Sequence, residues 1–218
     1  MDGEKLDVSE IMRRVTQILR LSSGAVLLFI SIVSAAAIVV DLTDPDSGGR
    51  NLLLNILSVI AGFLLMRAVV RDSGLTDGFV RGFGAYFGLS ILMGLALLLG
   101  FVCLIIPGLI LLVRWQPAFA ILMAEENATV TGAMQEAWDM TAAEFWPLLA
   151  SVLFGIVILG VALLVYVSYD LGYAVPVEFS VVAGNILLTC VTVYFTVLGV
   201  AAYSLLRTKQ PGLDEIFA

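Results

Sequence analysis

Between Gly82 and Ala124 the chain carries a single charge, Arg114, and a single thiol, Cys103. A guanidinium at mid-bilayer costs roughly 2.5–3.5 kcal/mol on insertion scales, so Arg114 needs a physical reason to be there. With Gln116 beside it, and with Pro117 breaking the helix ladder to widen the site, Arg114 can bind a lipid phosphate, whose oxygens match the guanidinium fork. The plainer and favoured reading has Arg114 snorkelling to the outer membrane interface, with Trp115 anchoring it at headgroup depth. Arg114, Trp115 and Gln116 are therefore the lipid-binding candidates.

Other chemistry is sparse. The chain contains no histidine, which removes His-based acid–base catalysis, His-ligated metals and Ser-His or Cys-His nucleophile pairs together. Cys103 and Cys190 lie in apolar runs without a C-x-x-C spacing and read as small buried hydrophobes. The carboxylates Asp41, Asp44, Asp170 and Glu178 border the apolar runs, and nothing in their spacing recommends catalysis on lipids. No enzyme, cofactor or metal site is expected. A net charge of −7 argues against nucleic acid as a partner. Asn55, Asn185, Thr189, Thr192 and Thr196 form a candidate polar seam between the second and sixth apolar runs. Such groups more often bond neighbouring helices than conduct a solute.

These residues must be positioned by helices that cross a membrane. At 61% hydrophobic and 13% charged residues, with a mean hydropathy of +1.06, the chain lies outside the soluble range, where about a quarter of residues are charged. The run from Gly82 to Ala124 is too long for one crossing of roughly 30 Å, so it must cross, turn and cross again, and Pro107-Gly108 marks the turn. The expected fold is all-α, a single membrane domain over 1–218. Its spans lie near 22–41, 51–71, 82–105, 108–124, 145–168 and 178–206, with amphipathic helices at 8–20 and about 129–142. No acidic residue is expected inside a span.

Charge sets the orientation. Lys5, Arg13, Arg14, Arg20, Arg67, Arg71, Arg81, Arg207 and Lys209 fall on the side of the termini, and Arg50 falls opposite, so both termini are expected in the cytoplasm. The connection Glu125–Glu144 breaks the pattern with five acidic residues and no basic one, although acids weigh little in topology. Arg13-Arg14 ahead of an apolar run and Ala35-Ala36-Ala37 imitates a signal peptide, but the preceding stretch is long and acidic. The glycosylation acceptor at Asn127-Ala128-Thr129 would be inert on the cytoplasmic side.

A short pattern recurs: Val8-Ser9-Glu10-Ile11-Met12, Leu75-Thr76-Asp77-Gly78-Phe79, Val130-Thr131-Gly132-Ala133-Met134 and Leu213-Asp214-Glu215-Ile216-Phe217. Ser, Thr or Asp in each can cap a helix while the flanking apolar residues pin it to the bilayer surface. The architecture expected is three units of surface helix plus transmembrane hairpin, with a remnant of a fourth. Arg13 and Arg14, and Met134 and Trp138, mark the two faces of these interfacial helices. They bind lipid headgroups, plug against partner proteins, or only cap the bundle. Gly84-x-x-x-Gly88, Ala96-x-x-x-Gly100 and Ser151-x-x-x-Gly155 permit close helix packing.

The run Ile106-Pro107-Gly108-Leu109-Ile110-Leu111-Leu112-Val113-Arg114-Trp115, then Pro117-Ala118 and Glu125, then Ala133 with Ala137-Trp138 and Phe145-Trp146, resembles YciC-like bacterial inner-membrane proteins. It also resembles the membrane domain fused to some glycerophosphoryl diester phosphodiesterases. The resemblance implies a bacterial inner-membrane location and six spans. It implies little about activity, because the phosphodiesterase domain is missing. Glu136 and Asp139 also replace basic residues usual in the relatives' surface helix. The function expected is a non-enzymatic accessory, scaffold or lipid-organising component, with membrane lipids and another integral membrane protein as partners. The alternative is a transporter or channel for a lipid or small amphiphile, signalled by a continuous polar cavity near Arg114, Asn185 and Asn55.

Overall fold

A bilayer interior offers backbone N–H and C=O groups no water, so the apolar runs can satisfy them only as helices. The computed structural model describes residues 6–43, 48–76, 81–168 and 176–209 and is all-α. In order the helices are α1 (Val8–Leu21), α2 (Ser23–Thr43), α3 (Gly48–Asp72), α4 (Phe83–Cys103), α5 (Ile105–Arg114), α6 (Ala118–Ala124), α7 (Val130–Met140), α8 (Phe145–Tyr166) and α9 (Val177–Lys209). Six stretches are long and apolar enough to cross a membrane: α2, Asn51–Asp72 of α3, α4, Ile105–Ala124, α8 and Val177–Thr208 of α9.

The turn after α4 comes earlier than Pro107-Gly108. Leu104 alone is extended, with φ −165 and ψ 144, and Pro107 is the third residue of α5. In a helix's first turn the missing N–H of proline costs nothing, because that position has no acceptor inside the helix. Gly108 instead serves packing: a Cβ there would lie 2.6 Å from the Phe101 ring, and one on Gly100 would lie 3.0 Å from Gly108 Cα. The α4–α5 hairpin closes on these two facing glycines. The span after it is not one helix, since Pro117 cannot continue the ladder and α5 and α6 are separated at Trp115–Pro117.

The driest part of the protein lies at one end. α9 has 33 residues, about 50 Å by helical rise, which exceeds a hydrocarbon core of about 30 Å. Its C-terminal half carries Val197, Leu198, Val200, Ala201, Ala202 and Tyr203, all fully buried. Ile11, Val15 and Ile18 of α1 recur at helical spacing and are buried against α9, α8 and α3. Ala133, Met134 and Ala137 of α7 are buried where it packs on α6 and α4. Both helices therefore turn buried apolar residues to protein and cap the bundle end, one of the readings open from the sequence, while Trp138 on α7 stays exposed.

The repeat is also weaker than its sequence pattern. The cap positions are Asp7 and Thr129, not Ser9 and Thr131, which lie inside α1 and α7. Thr129 accepts a 3.0 Å hydrogen bond from the Gly132 N–H, and Ser9 donates to the Asp7 carboxylate. The second copy starts on non-helical Leu75–Thr76, and its remainder and the fourth copy lie outside the described residues. Among the described residues, α1 and α7 are the two surface helices.

Candidate functional site

The break between α5 and α6 sends its three consecutive candidate residues in two directions. Arg114 turns to α7: its Nη1 donates to the Trp138 carbonyl at 3.1 Å, and its guanidinium lies 5.0 Å from the Trp138 ring and 5.5 Å from the Phe145 ring. Trp138 is in the last turn of α7, where carbonyls lack intrahelical partners and the helix dipole favours a cation. Nε of Arg114 is buried without a partner. The snorkelling direction is thus opposite to the one expected. The guanidinium reaches the end that holds α1, α7 and the last third of α9, where Glu144 Oε2 accepts from the Leu6 N–H at 3.1 Å and Arg14 Nε donates to Ser204 at 3.0 Å.

Gln116 faces the other way, into a cleft of about 440 Å³ between α4 and α9, with α3, α5, α6 and α8 at its edges; Trp115 also borders the cleft, while its ring lies 6.5 Å from that of Trp138. Gln116 Nε2 donates to the Phe195 carbonyl at 2.7 Å, which ties the break to α9. α9 can come this close because residue 199 is glycine, whose Cβ would lie 2.5 Å from the Gln116 carbonyl oxygen. The α4 wall is a helical stripe, Tyr86, Ser90, Met93, Gly94 and Leu97, and the α9 wall includes Val191, Thr192, Phe195 and Thr196. Met66, Leu112, Phe119 and Leu159 add to its apolar part. No charged side chain lines the cleft. The stripe on α4 was missed in the sequence because Tyr86, Ser90 and Gly94 sit singly in an otherwise aliphatic helix; their four-residue spacing was the available signal.

The polar seam on α9 is real but divided. Asn185, Thr189, Thr192 and Thr196 follow one helical stripe. Towards the far end the stripe is closed by α2: Asp41 Oδ2 accepts from Asn185 Nδ2 at 2.8 Å and from Tyr166 Oη at 2.9 Å, and Ser34 donates to Thr189 at 3.0 Å. Asp41 therefore lies inside a span, because α2 runs on to Thr43, which corrects the expectation of acid-free spans. Thr192 and Thr196 border the cleft instead. Asn55 is exposed on α3 and takes no part.

The acidic connection that strained the charge rule is partly turned inward. Glu125 accepts from Tyr203 Oη at 2.8 Å, and Glu144 receives Leu6 as above. Burial raises the pKa of Glu136, and the charge and hydrogen bond of Glu125 raise it further against the pull of Arg207. Arg81 donates to the carbonyls of Leu122, Glu125 and Ala128, satisfying the end of α6. Arg13 is exposed, and Met134 is buried under α7. Of the small-residue pairs, Gly155 meets Tyr194 and Phe195, Gly100 meets Gly108, and Gly84 meets nothing.

Six apolar spans around a one-ended core define an all-α, multi-pass membrane protein. Comparison of the chain with protein-family models, curated proteins and solved structures gives no match.

Proposed function

We propose that this protein is a non-enzymatic, lipid-organising component of a bacterial inner membrane, with both termini in the cytoplasm. The observation that carries the reading is the α4–α9 cleft, which lies between spans, is uncharged, and is walled mainly by apolar side chains. A space of this kind at membrane depth is filled by lipid, and clefts of about 300–1,000 Å³ are the usual size of small-molecule sites. The inner-membrane location rests on the residues quoted for the YciC-like resemblance and on the basic residues at the α1 end.

One observation favours the transport reading: the α9 stripe carries polar groups beyond the cleft, through Thr189 and Asn185, towards the far end. That portion is plugged by Ser34 and Asp41, so passage would require α2 to move. Extraction from native membranes in a lipid-retaining polymer, followed by mass spectrometry of everything bound, tests the proposal. Retention of lipid at a fixed ratio is expected. A stoichiometric protein partner with no retained lipid would replace it with an accessory-subunit role.

A further inference from the structure

The cleft is polar at one end only, and the free hydrogen-bonding groups there are uncharged. Tyr86 Oη lies over Gly62 of α3, where a Cβ would be 3.1 Å away, and makes no hydrogen bond among the described residues; Gln116 uses Nε2 on Phe195 while Oε1 accepts nothing there. One supplies an O–H donor and the other a carbonyl acceptor. The nearby guanidinium, Arg114, is committed to Trp138 and does not line the cleft. A charged headgroup placed here would lose its hydration without gaining a counter-charge, which is strongly unfavourable. A head that both accepts and donates without charge would satisfy both groups.

We propose that the cleft binds a neutral, hydroxyl-bearing lipid of the diacylglycerol type, with the hydroxyl and ester carbonyl between Gln116 Oε1 and Tyr86 Oη and a chain along Leu97, Leu112 and Leu159. This rests on the lipid-holding reading above and names the lipid class. The glycerol-ester region of an ordinary phospholipid shares part of this chemistry but lacks the free hydroxyl that Gln116 would accept.

Gly94 gives a clean way to fill the site, because a Cβ there meets nothing within 4 Å and the residue lines the cleft. Gly160 on α8 likewise has open space but does not line it, and serves as the control. The protein is reconstituted in nanodiscs of phosphatidylethanolamine and phosphatidylglycerol containing dioleoylglycerol, and bound lipid is counted by native mass spectrometry. The wild type and Gly160→Leu should retain one dioleoylglycerol in preference to either phospholipid. Gly94→Leu should reduce this about tenfold, and Tyr86→Phe should reduce it by a similar factor, the equivalent of one hydrogen bond of about 1.4 kcal/mol. Selective retention of a phospholipid that Gly94→Leu abolishes would overturn the head assignment while leaving the lipid-holding reading intact. Retention of all three lipids unchanged by Gly94→Leu would overturn the site itself.

Discussion

One stripe of α9 meets two different fates. Its far half, Asn185 and Thr189, is sealed by Asp41, Tyr166 and Ser34; its near half, Thr192 and Thr196, faces a cleft whose opposite wall is Met93, Gly94 and Leu97. The residue types on α9 are alike in both halves, and the difference lies in what the neighbouring helix supplies. α2 brings a carboxylate and a hydroxyl to the stripe, while α4 faces the cleft with Met93, Gly94 and Leu97 and, towards one end, Ser90 and Tyr86. Thr192 and Thr196 donate to the Leu188 and Thr192 carbonyls of their own helix, so neither half leaves a hydroxyl stranded; the sealed half is structural, and the open half is where we propose that a lipid sits.

The contrast breaks most sharply at glycine. Gly184 faces the backbone of Tyr166, with a Cβ predicted 2.7 Å from its Cα, so Gly184→Leu should cost about 3 kcal/mol or more in thermal unfolding in detergent. The same change at Gly94 should stay within about 0.5 kcal/mol of wild type. Asp41→Ala removes the carboxylate that Asn185 and Tyr166 share and should cost about 2 kcal/mol, with Asp41→Asn recovering part of it in the same assay. Equal, negligible effects of Gly184→Leu and Gly94→Leu would show that the two halves are packed alike.

Arg114→Gln removes the bond and ring contacts that hold α7 to the α5–α6 break. It should cost about 1 kcal/mol and raise amide hydrogen exchange across Val130–Met140, while lipid retained in the cleft stays unchanged. Loss of retained lipid on this change would bring the guanidinium back into the binding site. The smallest effect concerns Glu136, whose pKa is raised from 4.5 by burial and then by Glu125. The folded state holds this proton more tightly than the unfolded chain, so its stabilising share is complete below pH 4.5 and fades as pH rises through the elevated value. Glu136→Gln should flatten the unfolding midpoint across that window and raise it modestly at neutral pH.

Much of this was legible in the sequence. Uninterrupted apolar runs locate the spans within a few residues, because backbone satisfaction in lipid leaves helices as the solution. Pro117 announces the α5–α6 break, and the spacing of Ile11, Val15 and Ile18 announces α1. What each amphipathic face meets was not legible, since protein core and lipid are equally apolar; α1 packs on α9, α8 and α3, and α7 on α6 and α4. Arg114 illustrates the same limit. Its charge stands out in the sequence, but its partner is a helix-terminal carbonyl that leaves no residue signature. The cleft needs two helices that fail to meet, a property of packing that no single run of residues carries.

The most direct test of the proposal that the cleft holds lipid places a photoreactive amino acid at Gly94 in cells, with the same group at exposed Leu53 on α3 as the comparison. After irradiation in intact membranes, the adduct at position 94 should be one lipid class with a neutral head, while position 53 gives the bulk lipid mixture. An adduct at position 94 to residues of α9, or the same bulk mixture at both positions, would show that the cleft holds no lipid of its own.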